Sequence, residues 1–254
     1  MFRIRRIHDD VLPINQDAIR QAEEILEAHF SSAHHDEYRG LAERLRNPFR
    51  QQFRSVLFVA ERQRGRVSGF GFMMNDPELG FAYLDFIASA KEMTGRGIGG
   101  ALYQRVRQEA TALGARGLFF ECLPDDPAQC DDPERLKENM ARLRFYERFG
   151  VRPIVGTAYE APIKPEDREM PYLMVDSLGR EQPLRRDFAR KVVRAILERK
   201  YAHLCPAEYV EMVVRSFRDD PVRIREPRYA KIPMQPPAAP LPAAESVALV
   251  VNDK

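Results

Sequence analysis

Two stretches of this chain hold residue types whose spacing can do chemistry. One is Thr94-Gly95-Arg96-Gly97-Ile98-Gly99-Gly100, set between a strand-like run and a helical one; the other is Asn139-Met140-Ala141-Arg142-Leu143-Arg144-Phe145-Tyr146-Glu147-Arg148-Phe149-Gly150. A helix start leaves backbone N–H groups without partners. A turn free of side chains lets a phosphate come close enough to take them, and the helix dipole adds attraction. Gly99 and Gly100 would each cost a helix about 0.5–1 kcal/mol relative to alanine, so their presence asks for a reason, and close approach of a ligand is one. Tyr146 in the second stretch adds a phenol. Together the two read as a phosphate cradle with a proton donor.

Periodicity predicts the elements that position them. Arg3 to Ile7 alternates as a first strand, and Asn15 sits at a capping position before the helical stripe Ala18, Ile19, Ala22, Ile25 and Leu26. A more polar helix is expected over 36–47. Strands follow at 56–60 and 67–74, joined around Gly65, and a third over 81–89. From Gly100 the pattern turns helical, with Leu102, Val106, Ala110 and Leu113 on one face and Gly114 as the stop; 117–122 is then a buried strand. A loop rich in Asp and Pro, 124–133, leads to a helix over 134–149 with Leu136, Met140, Leu143 and Phe149 inward. Strands at 152–155 and 171–175 close the domain. Two amphipathic helices, 185–201 and 206–217, are expected to dock through Phe188, Val192, Ile196, Tyr209, Val210, Val213 and Val214, with Pro206 in a first helical turn. Pro233, Pro236, Pro237, Pro240 and Pro242 then make a stiff linker, and 247–254 reads as an unfinished strand that leads toward a further domain. The expected division is 1–180, 181–230 and 231–254.

Composition bounds the function classes. The chain has 254 residues, 44% of them hydrophobic and 31% charged, enough for one large domain or a domain with an appendage and ordinary for a soluble globular protein. Lys+Arg 40 against Asp+Glu 38 leaves a net charge of +2, which gives no broad positive field for nucleic acid. No run approaches the ~18 apolar residues a membrane span needs, and the N-terminus lacks a signal-peptide core, so no membrane partner and a cytoplasmic location are expected. Cys122, Cys130 and Cys205 show no C-x-x-C spacing and read as reduced packing residues; the pair His34-His35 lacks partners at metal-ligand spacing, and no metal is expected.

The glycines allow two readings. Gly95, Gly97 and Gly100 satisfy G-x-G-x-x-G, with Glu121 about twenty residues on, where a dinucleotide fold binds a ribose hydroxyl. Against it, residues 90–94 intervene after the strand, the motif follows three strands that look antiparallel, and Tyr146 with its surroundings goes unexplained.

The second reading is a resemblance to the GNAT N-acetyltransferase superfamily in its bacterial form. Arg96-Gly97-Ile98-Gly99 with Leu102 matches its phosphate loop, Q/R-x-x-G-x-G/A, and Asn139, Ala141, Phe145, Tyr146, Glu147 and Gly150 resemble its second segment, N-x-x-A-x-x-F/L-Y-x-x-x-G. The resemblance covers residues 3 to 176, the order of elements included. It implies an α/β (α+β) fold with a mixed, mostly antiparallel, splayed central sheet flanked by helices, here with a C-terminal helical extension. The implied cofactor is acetyl-CoA, its pyrophosphate on the amides of Gly95 to Gly100, with Asn139 near the CoA arm and Tyr146 near the sulfur. Thr94 departs from the family's Gln or Arg, which leaves either weaker cofactor binding or compensation by Arg96. The loop 124–133 is longer than usual and is a candidate to shape the acceptor pocket.

Direct acetyl transfer needs a neutral amine, a polarised thioester and a proton for the departing thiolate. Tyr146, with an ordinary pKa of about 10, is closer to a thiol than any carboxylate is, while a strand amide near Ile87, Ala88 or Ser89 can bind the thioester oxygen. Asp85 and Glu121 are the candidate bases, directly or through a water; each is also readable as structural, Asp85 as a solvated strand face and Glu121 as a strand-end cap. Tyr83, Phe86 and Phe119 are expected in the core or as acceptor-pocket walls. The expected reaction is acetyl transfer from acetyl-CoA to a primary amine of a small molecule or peptide, with a homodimer allowed. The alternative is an acyl-CoA-sensing or scaffolding module. The tail faintly resembles the opening strand of histone-deacetylase-like acetylpolyamine hydrolases, which makes a polyamine one guess at the acceptor.

Overall fold

Near-continuous apolar runs rich in β-branched and aromatic residues, buried along most of their length, build the first half of the protein as an antiparallel meander. In the computed structural model, which describes residues 1–29, 40–48, 52–93, 95–164, 167 and 170–229, strands β1 (Arg3–Ile7), β2 (Arg54–Glu61), β3 (Val67–Asp76) and β4 (Phe81–Ser89) pair in succession. β5 (Leu118–Cys122) joins β4 in parallel. With β6 (Arg152–Pro153) and β7 (Tyr172–Asp176) it completes a seven-stranded sheet in the order β1-β2-β3-β4-β5-β7-β6. The sheet is mixed and mostly antiparallel, and the dinucleotide reading fails here, because the glycine turn follows a four-strand meander rather than a first parallel β-α unit.

The parallel pair holds only at Ala82–Leu118 and Tyr83–Phe119. Beyond it the C-terminal halves of β4 and β5 part. The β3–β4 register slips between Phe72–Phe86 and Met73–Leu84, which leaves Asp85 as the extra residue of a bulge; bulges bend a strand and raise its twist.

Helices cover both faces. On one lie α3 (Ile98–Ala112), across β2, β3 and β4, and α4 (Pro133–Glu147), capped by Asp132 with Pro133 next in line. Gly69 and Gly71 make room for α3: a Cβ on Gly69 would stand 2.8 Å from Ile98 Cγ2 and 2.9 Å from the Ala88 carbonyl oxygen. On the other face lie α1 (Pro13–His29), α2 (Leu41–Arg46) and the C-terminal extension, which comprises α5 (Arg186–Ala195), a π-helical turn (Ile196–Lys200) and α6 (Ala207–Ser216). An edge-to-face chain of Phe53, Phe81, Phe119 and Phe188, with centroids 6.1–6.2 Å apart, joins the meander, β5 and α5. Residues 222–229 return as a strap. Ile224 bridges Ile154, and Arg225 N–H donates to the Pro153 carbonyl.

Several expectations are corrected. Helix α1 begins at Pro13, so Asn15 lies in its first turn and accepts from Arg5 instead of capping. Helix α3 begins at Ile98, which puts Gly99 and Gly100 in its first turn, and Leu113 is exposed where the helix ends. In α4 the half-buried Leu136 and Met140 cede the core to Asn139, Leu143, Tyr146 and Glu147. Polar groups take buried positions there because partners meet them: Asn139 donates to the Pro124 carbonyl at 2.9 Å, and the Glu147 carboxylate accepts the backbone N–H groups of Arg228 and Tyr229. The helix expected over 36–47 is helical over Leu41–Arg46. Residues 30–39, with His34 and His35, and residues 230–254, with the linker and tail, lie outside the described residues. Among the described residues no helix is long and apolar enough to cross a membrane.

Candidate active site

The glycine turn connects the open end of β4 to α3. Gly95 and Gly97 take φ of +79° and +78°, a region L side chains avoid, and Gly97 caps α3 without any side-chain hydrogen bond. The first helical bond runs from Ala101 N–H to the Gly97 carbonyl, so the N–H groups of Ile98, Gly99 and Gly100 point out of the helix end with no helical carbonyl to take them. A Cβ built on Gly95, Gly97 or Gly99 meets nothing within 4 Å. The turn is open, with room for an anion at the positive end of the helix. A cavity of about 240 Å³ lined by Phe2, Arg62, Met93, Arg96 and Ile98 opens beside it and adds two guanidinium groups. A larger cavity of about 810 Å³ runs along the β2–β3 hairpin, away from the parting strands. Thr94 lies outside the described residues.

Ile87, Ala88 and Ser89 pair with Gly71, Phe70 and Gly69 along one edge of β4; the other edge, past Tyr83, has lost β5. Across the opening, Tyr146 of α4 lies over Phe120 of β5, ring centroids 4.5 Å apart, and against Tyr103 of α3 at 5.0 Å. Its neighbour Phe145 is the nearest group to Gly100, 3.9 Å from a Cβ built there. The Tyr146 ring is buried, and among the described residues its hydroxyl has no hydrogen-bond partner. Burial raises its pKa far above the usual phenol value; nearby Cys122 adds to this and Arg142 opposes it. Burial likewise pushes the Cys122 thiol up to about 12.

The opposite face of the opening is ionic and phenolic. Asp85 is not on a solvated strand face: its carboxylate is 2% exposed and pairs with Arg44 at 2.5 Å and Lys200 at 3.1 Å. Burial pushes that carboxyl up, but the two cations outweigh it and hold it below its ordinary value. Glu121 is not a strand-end cap; it accepts from the hydroxyls of Tyr159, at 2.5 Å, and Tyr201. Burial, reinforced by Glu121, raises Tyr83, Tyr159 and Tyr201 well above the phenol range, so all three remain neutral donors. Asn139 is buried beneath the β5–α4 loop, its amide committed to Pro124.

Sequence reasoning missed Arg44, Tyr159, Lys200 and Tyr201. They arrive from α2, the β6–β7 connection and the extension, and no motif spacing links them to the glycine turn. The one available signal is chemical: a buried strand carboxylate such as Asp85 requires a cation.

A sequence model of the acetyltransferase (GNAT) family matches residues 19–151. The fold is that of an aminoglycoside 6'-N-acetyltransferase complexed with coenzyme A, with a TM-score of 0.52 at 18% identity over 71% of this chain and 99% of that one. Two further similar structures are a GNAT family acetyltransferase from Brucella melitensis in complex with acetyl-CoA (TM-score 0.43, 20% identity, 72% and 92% covered) and the ribosomal-protein-S18-alanine N-acetyltransferase from Escherichia coli (0.46, 16%, 69% and 92%). No curated protein sequence matches the chain significantly.

Proposed function

We propose, since this chain belongs to the acetyltransferase (GNAT) family, that it moves acetyl from acetyl-CoA to a primary amine of a small molecule or peptide within a ternary complex. Tyr146 is the proton donor in this reading and Glu121 the proton acceptor. The observation that carries it is the open glycine turn, with its uncapped amides, at one end of the gap that Tyr146 covers. When bound, acetyl-CoA supplies an activated acetyl thioester and a thiol leaving group.

The amides of Ile98, Gly99 and Gly100, with Arg62 and Arg96, hold the diphosphate. The open edge of β4 at Ile87, Ala88 and Ser89 offers an N–H to the thioester oxygen, where it strengthens as negative charge develops. Asn139 acts indirectly, by fixing the loop that follows β5. The raised pKa of Tyr146 does not disqualify it as an acid. The environment that raises Cys122 to about 12 raises a departing thiolate too, so donor and acceptor rise together. Of the two carboxylates, Asp85 is engaged by two cations and is a weak base, whereas Glu121 faces neutral phenols and keeps lone pairs for the amine's proton, directly or through one water.

Calorimetry with CoA, acetyl-CoA and NAD, followed by an amine panel, tests the proposal. CoA and acetyl-CoA are expected to bind and NAD not to. Tyr146→Phe should lower kcat by about 100-fold or more with little change in KM for acetyl-CoA, and Glu121→Gln should lower kcat by about tenfold or more. Binding of NAD in place of CoA, or full activity in Tyr146→Phe, overturns it.

A further inference from the structure

Helix α5 does not end as an α-helix. Tyr201 N–H closes on the Ile196 carbonyl at 3.3 Å, five residues back. Such π turns occur frequently at functional sites. This one delivers Lys200 into the gap between β4 and β5. Its Nζ stands 3.1 Å from Asp85 Oδ1, 3.8 Å from the centroid of the Tyr201 ring and 5.7 Å from that of Tyr83. The side chain is 15% exposed. Asp85 follows closely on Tyr83, the last β4 residue paired with β5, and Glu121 follows closely on Phe119, its partner, so this ammonium lies where the strands begin to part. Carboxylates and aromatic faces together are the chemistry that binds an alkylammonium. The Lys200 side chain therefore already sits in a box suited to an acceptor amine.

We propose that Lys200 is an internal acceptor and that the protein acetylates it in cis; this rests on the acetyltransferase reading above. The ammonium gives up one proton through water to solvent. The freed Nζ lone pair forms the N–C bond to the thioester carbonyl carbon while the C–S bond breaks, and the nitrogen sheds its second proton through water to solvent, which leaves the neutral amide N–H. The sulfur keeps that electron pair and takes a proton from Tyr146, which recovers one from solvent. The products are Nε-acetyl-lysine at position 200 and free CoA. The acetylated side chain is neutral and leaves Asp85 paired with Arg44 alone.

The test incubates the full chain with acetyl-CoA carrying an isotopically heavy acetyl group, so that marks acquired during expression are distinguished, and follows each lysine by peptide mass spectrometry. Label is expected on Lys200 at least tenfold faster than on the exposed Lys137 and Lys191, at a rate unchanged by tenfold dilution of protein and at least tenfold slower in Tyr146→Phe. Trace labelling by acetic anhydride without cofactor should give the reverse order, Lys200 slowest, because it is covered and paired. Lys200 labelled no faster than Lys137, labelling that falls with dilution, or Lys200 as the most reactive lysine toward the anhydride each overturns the inference. The same preparation is offered the amine panel: amines acetylated while Lys200 stays unlabelled sink the inference alone, and no acetylation of either sinks the transferase reading as well.

Discussion

Gly99 separates structural from functional demands on a single residue. It occupies the first turn of α3 with open space around it, so Gly99→Ala should add about 0.5–1 kcal/mol of helix stability, a rise in melting temperature of ~2 °C. In the proposed cradle the same methyl would stand in the path of the phosphate oxygens, and calorimetry should find acetyl-CoA binding weakened by about tenfold or more. A variant both more stable and equally avid would refute the cradle. At this scale the sequence was informative where residues were contiguous. The glycine turn and the Tyr146 segment were both legible, because their geometry is made by neighbours in the chain. Asp85 and Glu121 could be named as candidates, but their surroundings could not be read: Arg44, Tyr159, Lys200 and Tyr201 reach them only through tertiary packing, which leaves no spacing to detect.

Among the elements, α3 matters most to the proposal, because its N-terminus is the proposed cradle and its position rests on two glycines of β3. Gly69→Ala puts a methyl against Ile98 Cγ2 and, less forgivingly, the Ala88 carbonyl, so it should cost about 1–3 kcal/mol and weaken cofactor binding by moving the helix start. Thermal melting and calorimetry read the two effects; loss of stability with binding unchanged would show that the turn moves independently of the helix. Strands β2 to β5 could be read as continuous apolar runs, because they are buried almost throughout, and helix α3 from its apolar stripe. Less legible was the inward stripe of α4, where Asn139 and Glu147 displace Leu136 and Met140. Buried polar groups are acceptable only where a carbonyl or an amide meets them, and those partners, Pro124 and residues 228–229, are remote in sequence. The π turn was not legible either, because nothing in residues 196–201 departs from a helical pattern.

Over the whole molecule, the strap at 222–229 ties the C-terminal extension to the loop after β5. Arg225 grips the fully buried Asp125 carboxylate with two hydrogen bonds, at 2.7 and 3.1 Å, and Arg228 and the Tyr229 hydroxyl join them. Burial pushes the Asp125 carboxyl up, but these partners outweigh it and hold it below its ordinary value. A carboxylate whose pKa is lower folded than unfolded stabilises above about pH 4 and loses that contribution as pH falls through its native value. Asp125→Asn should therefore melt well below the wild type at pH 7, with about 3–5 kcal/mol lost as Arg225 is left unpaired, and the gap should narrow below about pH 4. Thermal melts across pH 2–7 check this, and a gap independent of pH would remove Asp125 from the acid response.

The parting of β4 and β5 gives the sheet the form of a book whose two leaves share a short spine at Ala82–Leu118 and Tyr83–Phe119. The extension staples the leaves: Arg199 holds Asp76 of β3 at 2.7 Å, Lys200 holds Asp85 of β4, and Tyr201 holds Glu121 of β5. All three staples lie outside residues 19–151, the stretch matched to the family. How wide the book stands is therefore set by three side chains that can be exchanged without touching the glycine turn, so in the proposed reaction the choice of amine and the grip on the cofactor are separable.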